Sequence, residues 1–415
     1  MIRRNLCDRL LLALSDTPVV LINGARQTGK STLVQSPEVA EPGRRYLTFD
    51  DRSVLAAAKG DPGGFIAGLM TPVTLDEVQH VPELFSAIKI AVDRKREPGR
   101  FLLTGSADVL LLPKLSESLA GRMEVLTLWP FSQGEMNGVR ESFLDTLFSK
   151  HPVGHRGRSG ALQRTELFEK VLVGGYPPIA ARRQVARRNA WFQSYLTTIL
   201  QRGVRDLANI ADLTAVPQLL SVVASRAGGL LNFADLSRRL SLPQTTLKRY
   251  FALLETTFLM QLLRPWSVNV GQRVIRTPKV YLSDTGLLSH LLGLSAERLE
   301  LDAGLAGAVL ENFVLLELRK QSGWSDTRPQ FYYWRTASGQ EVDIVLENPA
   351  GHLVGVEVKA SASLQTGDLR GLQALASAVG KRWIRGVVLY TGTETIPFTA
   401  TLHGIPISEL CETRK

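Results

Sequence analysis

The sequence predicts an α/β protein: a parallel sheet first, a mostly helical middle, and a second, smaller α/β part at the end. Three observations carry this. Residues 24–31 form a Gly-x4-Gly-Lys-Ser loop between an apolar strand pattern and the start of a helix. Over residues 1–140 short apolar runs alternate with helical stretches, the pattern of a parallel sheet covered on both faces. Near the end, strand-like runs carry Asp343, Glu357 and Lys359 in an Asp-x13-Glu-x-Lys spacing.

The loop reads Gly24, Ala25, Arg26, Gln27, Thr28, Gly29, Lys30, Ser31, with Thr32 following. It leaves the buried-strand pattern Pro18–Asn23, and Lys30–Gln35 opens a helix. Closely spaced backbone N–H groups, the positive end of a helix, a lysine and a hydroxyl are what a nucleoside triphosphate and its Mg²⁺ require. A nucleoside triphosphate and Mg²⁺ are therefore the expected ligands, with Ser31 on the metal. The strand pattern Pro72–Glu77 ends in two adjacent carboxylates. Asp76 is placed to face the Mg²⁺ shell, and Glu77 to orient and deprotonate a water for in-line attack. A third strand, Arg100–Thr104, leads to Gly105 and Ser106; Thr104 or Ser106 is a candidate for touching the γ-phosphate or the water. Arg122, before the strand Met123–Trp129, reads either as an arginine finger, in cis or across a subunit interface, or as a solvated helix-end arginine.

At 415 residues the chain has length for more than one core, and 44% hydrophobic with 21% charged residues describes an ordinary globular composition. No apolar run is long enough to span a bilayer. The N-terminus faintly imitates a signal peptide, but Asp8, Arg9 and Asp16 interrupt it, and Leu6–Leu14 reads as an amphipathic helix. A cytoplasmic protein is expected. Cys7 and Cys411 match no metal-ligand or disulfide spacing, and the six histidines form no ligand pattern. The net charge of +10 is uneven: residues 151–290 hold 19 Lys/Arg against 7 Asp/Glu, a net +12, which leaves −2 for the rest. A basic middle suggests a polyanion footprint, although a diffusely basic proteome gives the same total.

The polar stretch 149–160 reads as a linker, and the segments are expected at 1–140, 161–300 and 301–415. In the middle, Gln184–Leu207 is one long candidate helix behind the break Gly174-Gly175-Tyr176-Pro177-Pro178. At about 215–265 three pieces resemble a winged helix-turn-helix. They are helices Val216–Arg226, Asn232–Leu240 and Pro243–Leu254, followed by a wing strand Thr257–Arg264. The third exposes Gln244, Thr245, Lys248 and Arg249, side chains suited to phosphates and base edges. Such units also serve as lids or protein-docking modules, so DNA and a protein partner both stand as expectations.

In the last segment a helix bearing Glu311 (Ala306–Lys320) precedes three strands carrying, in turn, no acid, Asp343, and the pair Glu357 and Lys359. Residues two apart on a strand share a face, so Glu357 and Lys359 point together and Asp343 can meet them. Two carboxylates and a lysine converging suit metal-dependent phosphodiester cleavage, with Asp343 and Glu357 on the metal, Glu311 joining them or organising water, and Lys359 on the hydroxide. A structural ion-pair cluster is the alternative.

With these residues named, the chain resembles a family found in bacteria and archaea that fuses an AAA-type ATPase to a C-terminal region of unknown function. The likeness runs nearly end to end. It rests on GARQTGKST (24–32), LDEVQ (75–79), FLLTGS (101–106), SLAGRMEVLTLWPFSQGE (118–135), GGYP (174–177), YLSDTGLL (281–288), EVDIV (341–345) and VEVKAS (356–361). The resemblance implies an AAA-type P-loop NTPase parallel sheet with the phosphate-loop strand in its middle. It further implies a winged-helix segment and a C-terminal restriction-endonuclease-like α/β domain. It places Lys30 and Ser31 on phosphate and Mg²⁺, Asp76 on Mg²⁺, Glu77 on water, and Asp343, Glu357 and Lys359 at a second site. The expected activity is ATP hydrolysis by a protein acting on DNA, as a possible homo-oligomer. The alternative is a nucleotide-dependent switch that binds DNA or a partner protein without nuclease activity.

Overall fold

The computed structural model describes residues 2–40, 43–106, 119–149, 162–200, 215–269, 271, 273 and 277–412. The linker 149–160, Ser118 and the end of the long helix expected to Leu207 lie largely or wholly outside the described residues. The chain divides into two compact units, Met1–Phe131 with Thr256–Phe258, and Ser132–Glu255 with Leu259–Lys415.

The first unit is built on five parallel strands, β1 (Val19–Asn23), β2 (Arg45–Thr48), β3 (Val73–Asp76), β4 (Phe101–Gly105) and β5 (Met123–Thr127), in the order β2-β3-β4-β1-β5. β1 is thus interior, paired with β4 on one side and β5 on the other. Its five residues are all buried because each alternate side chain enters a different core. Val19 and Leu21 join Leu75, Phe85, Ile88, Phe101 and Leu103 on one face. Val20 and Ile22 join Leu10, Leu14, Leu33, Leu102 and Leu126 on the other. The helix Cys7–Asp16 buries Cys7, Leu10, Ala13 and Leu14, one stripe at helical spacing, so the N-terminal apolar stretch is core packing. Among the described residues no helix is long and apolar enough to cross a membrane.

The second unit holds helices and an eight-stranded mixed sheet. Its strands are β6 (Met260–Pro265), β7 (Lys279–Leu282), β8 (Gln330–Arg335), β9 (Glu341–Glu347), β10 (Leu353–Lys359), β11 (Trp383–Tyr390), β12 (Ile396–Pro397) and β13 (Leu402–Pro406). The order is β12-β13-β11-β10-β9-β8-β6-β7. β8, β9 and β10 form an antiparallel meander, whereas β10 and β11 run parallel and need the crossover helix Arg370–Val379. β6 pairs in parallel with β8, so residues of both the 161–300 and the 301–415 segments build this sheet.

Within that middle segment the helices Ala215–Ala224, Phe233–Leu240 and Gln244–Thr256 precede the antiparallel hairpin β6–β7. Asn232 caps the second helix by accepting from Asp235 N at 3.0 Å. Ser241, in the left-handed region at φ 53°, ends it, and two residues separate it from the start of the third helix. Leu230, between the first two helices, bridges to Lys279 at the start of β7.

Candidate active site and the C-terminal acidic cluster

The phosphate loop follows β1 and turns sharply. Gly24 has φ 145°, Gln27 φ 65° and Gly29 φ 93°. A Cβ at Gly24 would collide with the carbonyl oxygen of Leu128, whose own N–H donates to Asn23 O at 2.8 Å. Only glycine lets the loop start against this continuation of β5. The Lys30 ammonium is nearly buried and donates to Gly24 O at 3.0 Å and Ala25 O at 2.9 Å, inside the loop. Burial pushes it down to about 8, against the pull of Glu77 and Asp76. Arg4, which the sequence reading passed over, pins the loop from the N-terminal segment: it donates to Thr28 O at 3.0 Å and lies 4.5 Å over Phe131.

Asp76, at the end of β3, is buried and collects three hydroxyls. Ser31 Oγ lies 3.0 and 3.2 Å from its two oxygens, Tyr46 OH donates at 2.6 Å, and Thr104 Oγ1 donates to Oδ1. Burial and Asp76 together push the Tyr46 phenol up, so it stays a donor. Tyr46 lies on β2, beside β3, and no local motif marks it. A serine hydroxyl against a carboxylate is a set of hard oxygen donors that fits Mg²⁺. Glu77 takes the left-handed conformation at φ 60°, its N–H donating to Thr104 Oγ1 at 3.0 Å. Its carboxylate accepts from Gln79 Nε2, which also reaches Ser106 Oγ at 3.0 Å. Lys30, Ser31, Asp76, Glu77, Thr104 and Ser106 are thus gathered at the carboxyl ends of β1, β3 and β4, where open α/β sheets bind ligands.

Arg122 is elsewhere. β5 runs parallel to β1 with Met123 opposite Val19, so Arg122 precedes the end of the sheet at which β1 begins, whereas the loop follows the other end. Four residues of strand put about 13 Å between the two ends. Arg122 Nε meets Asp93 Oδ1 at 2.5 Å instead. The expectation of an arginine finger acting in cis is corrected by this strand direction.

In the second unit β9 and β10 pair only as far as Ile344 and Val356. Beyond that the Asp343 side chain replaces the ladder bond, Oδ2 accepting from Val358 N at 2.9 Å. Lys359 Nζ donates to Glu357 Oε1 at 2.8 Å, so the two do share a face, and Asp343 lies beside them. Burial and Asp343 push Glu357 up to about 8, against Lys359, and Glu357 Oε2 is buried without a hydrogen-bond partner. Glu311 differs from the expected arrangement. Its Oε1 accepts from Lys279 Nζ at 2.9 Å and from Tyr281 OH at 2.5 Å. The same ammonium lies 2.5 Å from Glu341 Oε1 and 3.6 Å from Asp343 Oδ1. Burial and Asp343 push Glu311 up to about 7, against Lys279. Among the described residues no three or more His, Cys, Asp or Glu are grouped to hold a metal. A cation of the chain's own meets Glu311 and Asp343, so these residues do not fit a metal held by Asp343, Glu357 and Glu311 together.

The motifs GGYP and YLSDTGLL meet each other. Asp284 caps Thr285–Leu292 through Leu287 N at 3.0 Å and accepts from Gly175 N at 2.7 Å. A Cβ at Gly174 would strike Asp284. Gln244, Thr245, Lys248 and Arg249 are all exposed on one helix, as expected.

Comparison with known proteins divides the chain into three matched segments. Residues 16–137 match the AAA domain, 164–298 a domain of unknown function (DUF8612), and 306–410 another (DUF4143). Uncharacterized proteins of Mycobacterium tuberculosis and Mycobacterium bovis are each 33% identical over 414 residues, covering 99% of this chain and 85% of theirs. The chain belongs to their family of AAA-domain proteins. Solved structures similar in part to this family member include a Walker-type ATPase of Pyrococcus abyssi. Its TM-score is 0.44 at 16% identity, covering 70% of this chain and 96% of that one. The RuvB Holliday junction branch migration motor of Thermotoga maritima scores 0.29 at 18% identity, with 62% and 88% covered.

Proposed function

We propose that this AAA-domain protein binds and hydrolyses ATP at the loop Gly24–Thr32, and that the nucleotide cycle controls contact with DNA. The observation that carries the reading is the junction of Ser31 with Asp76 beside the Lys30 ammonium, with Glu77 held next to it. In this reading the loop amides from Ala25 to Thr32 and Lys30 hold the phosphates. Ser31 and Asp76 would hold Mg²⁺, which when bound would neutralise the phosphate oxygens. Glu77 orients and takes the proton from the attacking water, and Thr104 and Ser106 fix the polar edge of the site. Arg122 has a role only toward the nucleotide of a second copy. Phosphate release tests this: Lys30→Ala should lose nucleotide binding and turnover together, and Glu77→Gln turnover alone, by about 10²–10⁴-fold. Unchanged turnover in Glu77→Gln would remove it as the base.

The DNA part rests on the three helices and the β6–β7 hairpin, read as a winged helix-turn-helix with Gln244, Thr245, Lys248 and Arg249 facing the duplex. The rival occupant of that surface is a partner protein, and DNA affinity unaltered between ATP and ADP states would favour it. A second reading of the C-terminal sheet, as a restriction-endonuclease-like fold that cleaves phosphodiesters through Asp343, Glu357 and Lys359, is favoured by the orphaned Glu357 Oε2. Nicking of supercoiled plasmid that disappears in Asp343→Ala is its test; no nicking with Mg²⁺ or Mn²⁺ leaves an ATPase switch.

A further inference from the structure

Gln79 has no part in the phosphate-loop pattern, yet its amide nitrogen donates two hydrogen bonds and its carbonyl oxygen accepts one. Its turn, Val78–His80, follows Glu77 directly and is anchored by Val78, which is fully buried in the sheet's core. Ser106 N donates to its Oε1 at 3.3 Å, and its Nε2 donates to Ser106 Oγ at 3.0 Å and to Glu77 Oε2. This fixes which way the amide faces, since a backbone N–H can only donate and a carboxylate only accept. An N–H therefore points at Glu77, and Oε2 of that carboxylate is committed to it. Ser106 follows Gly105, the residue of β4 paired with Asn23, and Asn23 immediately precedes the phosphate loop. One side chain thus ties the base to the serine that directly follows the neighbouring strand.

We propose that Gln79 is a positioning residue for ATP hydrolysis, a strut that sets the Glu77 carboxylate and makes its placement depend on what Ser106 Oγ touches. This rests on the ATPase reading above. With Oε2 held by Gln79, Oε1 takes the proton of the attacking water. The water oxygen bonds to the γ-phosphorus as the bond to the β-bridging oxygen breaks, and ADP leaves with those electrons. Ligand contact at Ser106 Oγ alters one of the two anchors of the Gln79 amide, so Glu77 is set when the triphosphate is seated. Misplacing a reacting group by about an ångström costs about 100-fold in rate, so the strut affects turnover and leaves binding alone.

The test compares phosphate release, fluorescent-ATP affinity and melting temperature in the full-length wild type, Gln79→Met, Ser106→Ala and the double variant. Methionine keeps the length of glutamine and removes its polar head. Gln79→Met should lower kcat about 10- to 100-fold, with KM, affinity and melting temperature essentially unchanged, and the double variant should be no slower than Gln79→Met. A kcat within about twofold of wild type, or a loss of affinity alongside turnover, overturns the proposal while leaving the ATPase reading intact. Independent, multiplying losses in the double variant overturn the coupling through Ser106. A wild type that hydrolyses no ATP defeats the ATPase reading and this proposal with it.

Discussion

Lys279→Met removes the one ammonium that three carboxylates share, and its cost can be worked from the structure. The Lys279 side chain is 3% exposed and lies 2.5, 2.9 and 3.6 Å from Glu341, Glu311 and Asp343. Burial acts against its charge, but Glu311, Asp343 and Glu341 outweigh that and hold it above the ordinary lysine range. Methionine fills the aliphatic volume and leaves the acids facing one another in a poorly solvated pocket. Removing one partner of a buried pair costs about 3–5 kcal/mol, and the remaining Arg335, 3.6 Å from Glu341, meets that carboxylate alone of the three. The assay is urea unfolding followed by a tryptophan signal from the second unit, whose Trp266, Trp324 and Trp334 are buried there. Adding Glu311→Gln to Lys279→Met should restore part of the loss, a coupling of about 1–3 kcal/mol. A Lys279→Met protein within about 0.5 kcal/mol of wild type would show that the cluster is not held by this ion pairing.

Three more outcomes follow from the same structure. Burial and Glu317 push the Glu141 carboxyl up to about 7 from 4.5. An acid whose folded value is raised contributes fully below its unfolded value and loses stability as pH rises through the folded one. Glu141→Gln should therefore match wild type near pH 4 and exceed it at pH 8 by up to about 3 kcal/mol; melting curves at the two pH values check it, and no pH-dependent gap would refute it. Gly174→Ala, at φ 76° and against Asp284, should cost about 2 kcal/mol or more in the second unit by the same unfolding assay. If the exposed Lys248 and Arg249 contact phosphates, replacing both by alanine should lower the salt slope of DNA binding by about two; an unchanged slope would place the duplex elsewhere.

How much was legible depended on distance along the chain. The loop 24–31, the alternation of strands and helices and the pairing of Glu357 with Lys359 all arise from neighbours in sequence. Strand patterns located β1 and β10 within a residue or so because burial on both faces makes their apolar runs continuous. Which of the two readings of Arg122 applies in cis was not legible, because its distance from the phosphate loop depends on strand direction, which no local pattern encodes. Tyr46 meets Asp76 across 30 residues, and Lys279 meets Asp343 across 64, from a strand whose pairing the pattern did not show. Gln79 lay in plain view within LDEVQ, but its partner Ser106 is 27 residues on, so its role became visible only with the sheet assembled.

The central claim is that ATP is bound by Lys30 and Ser31 and broken down through Glu77. The most direct test is to incubate wild type and Glu77→Gln with ATP and Mg²⁺, remove free nucleotide, and identify what stays bound. The account predicts near-stoichiometric ATP on Glu77→Gln and ADP on wild type. ADP on both would contradict it.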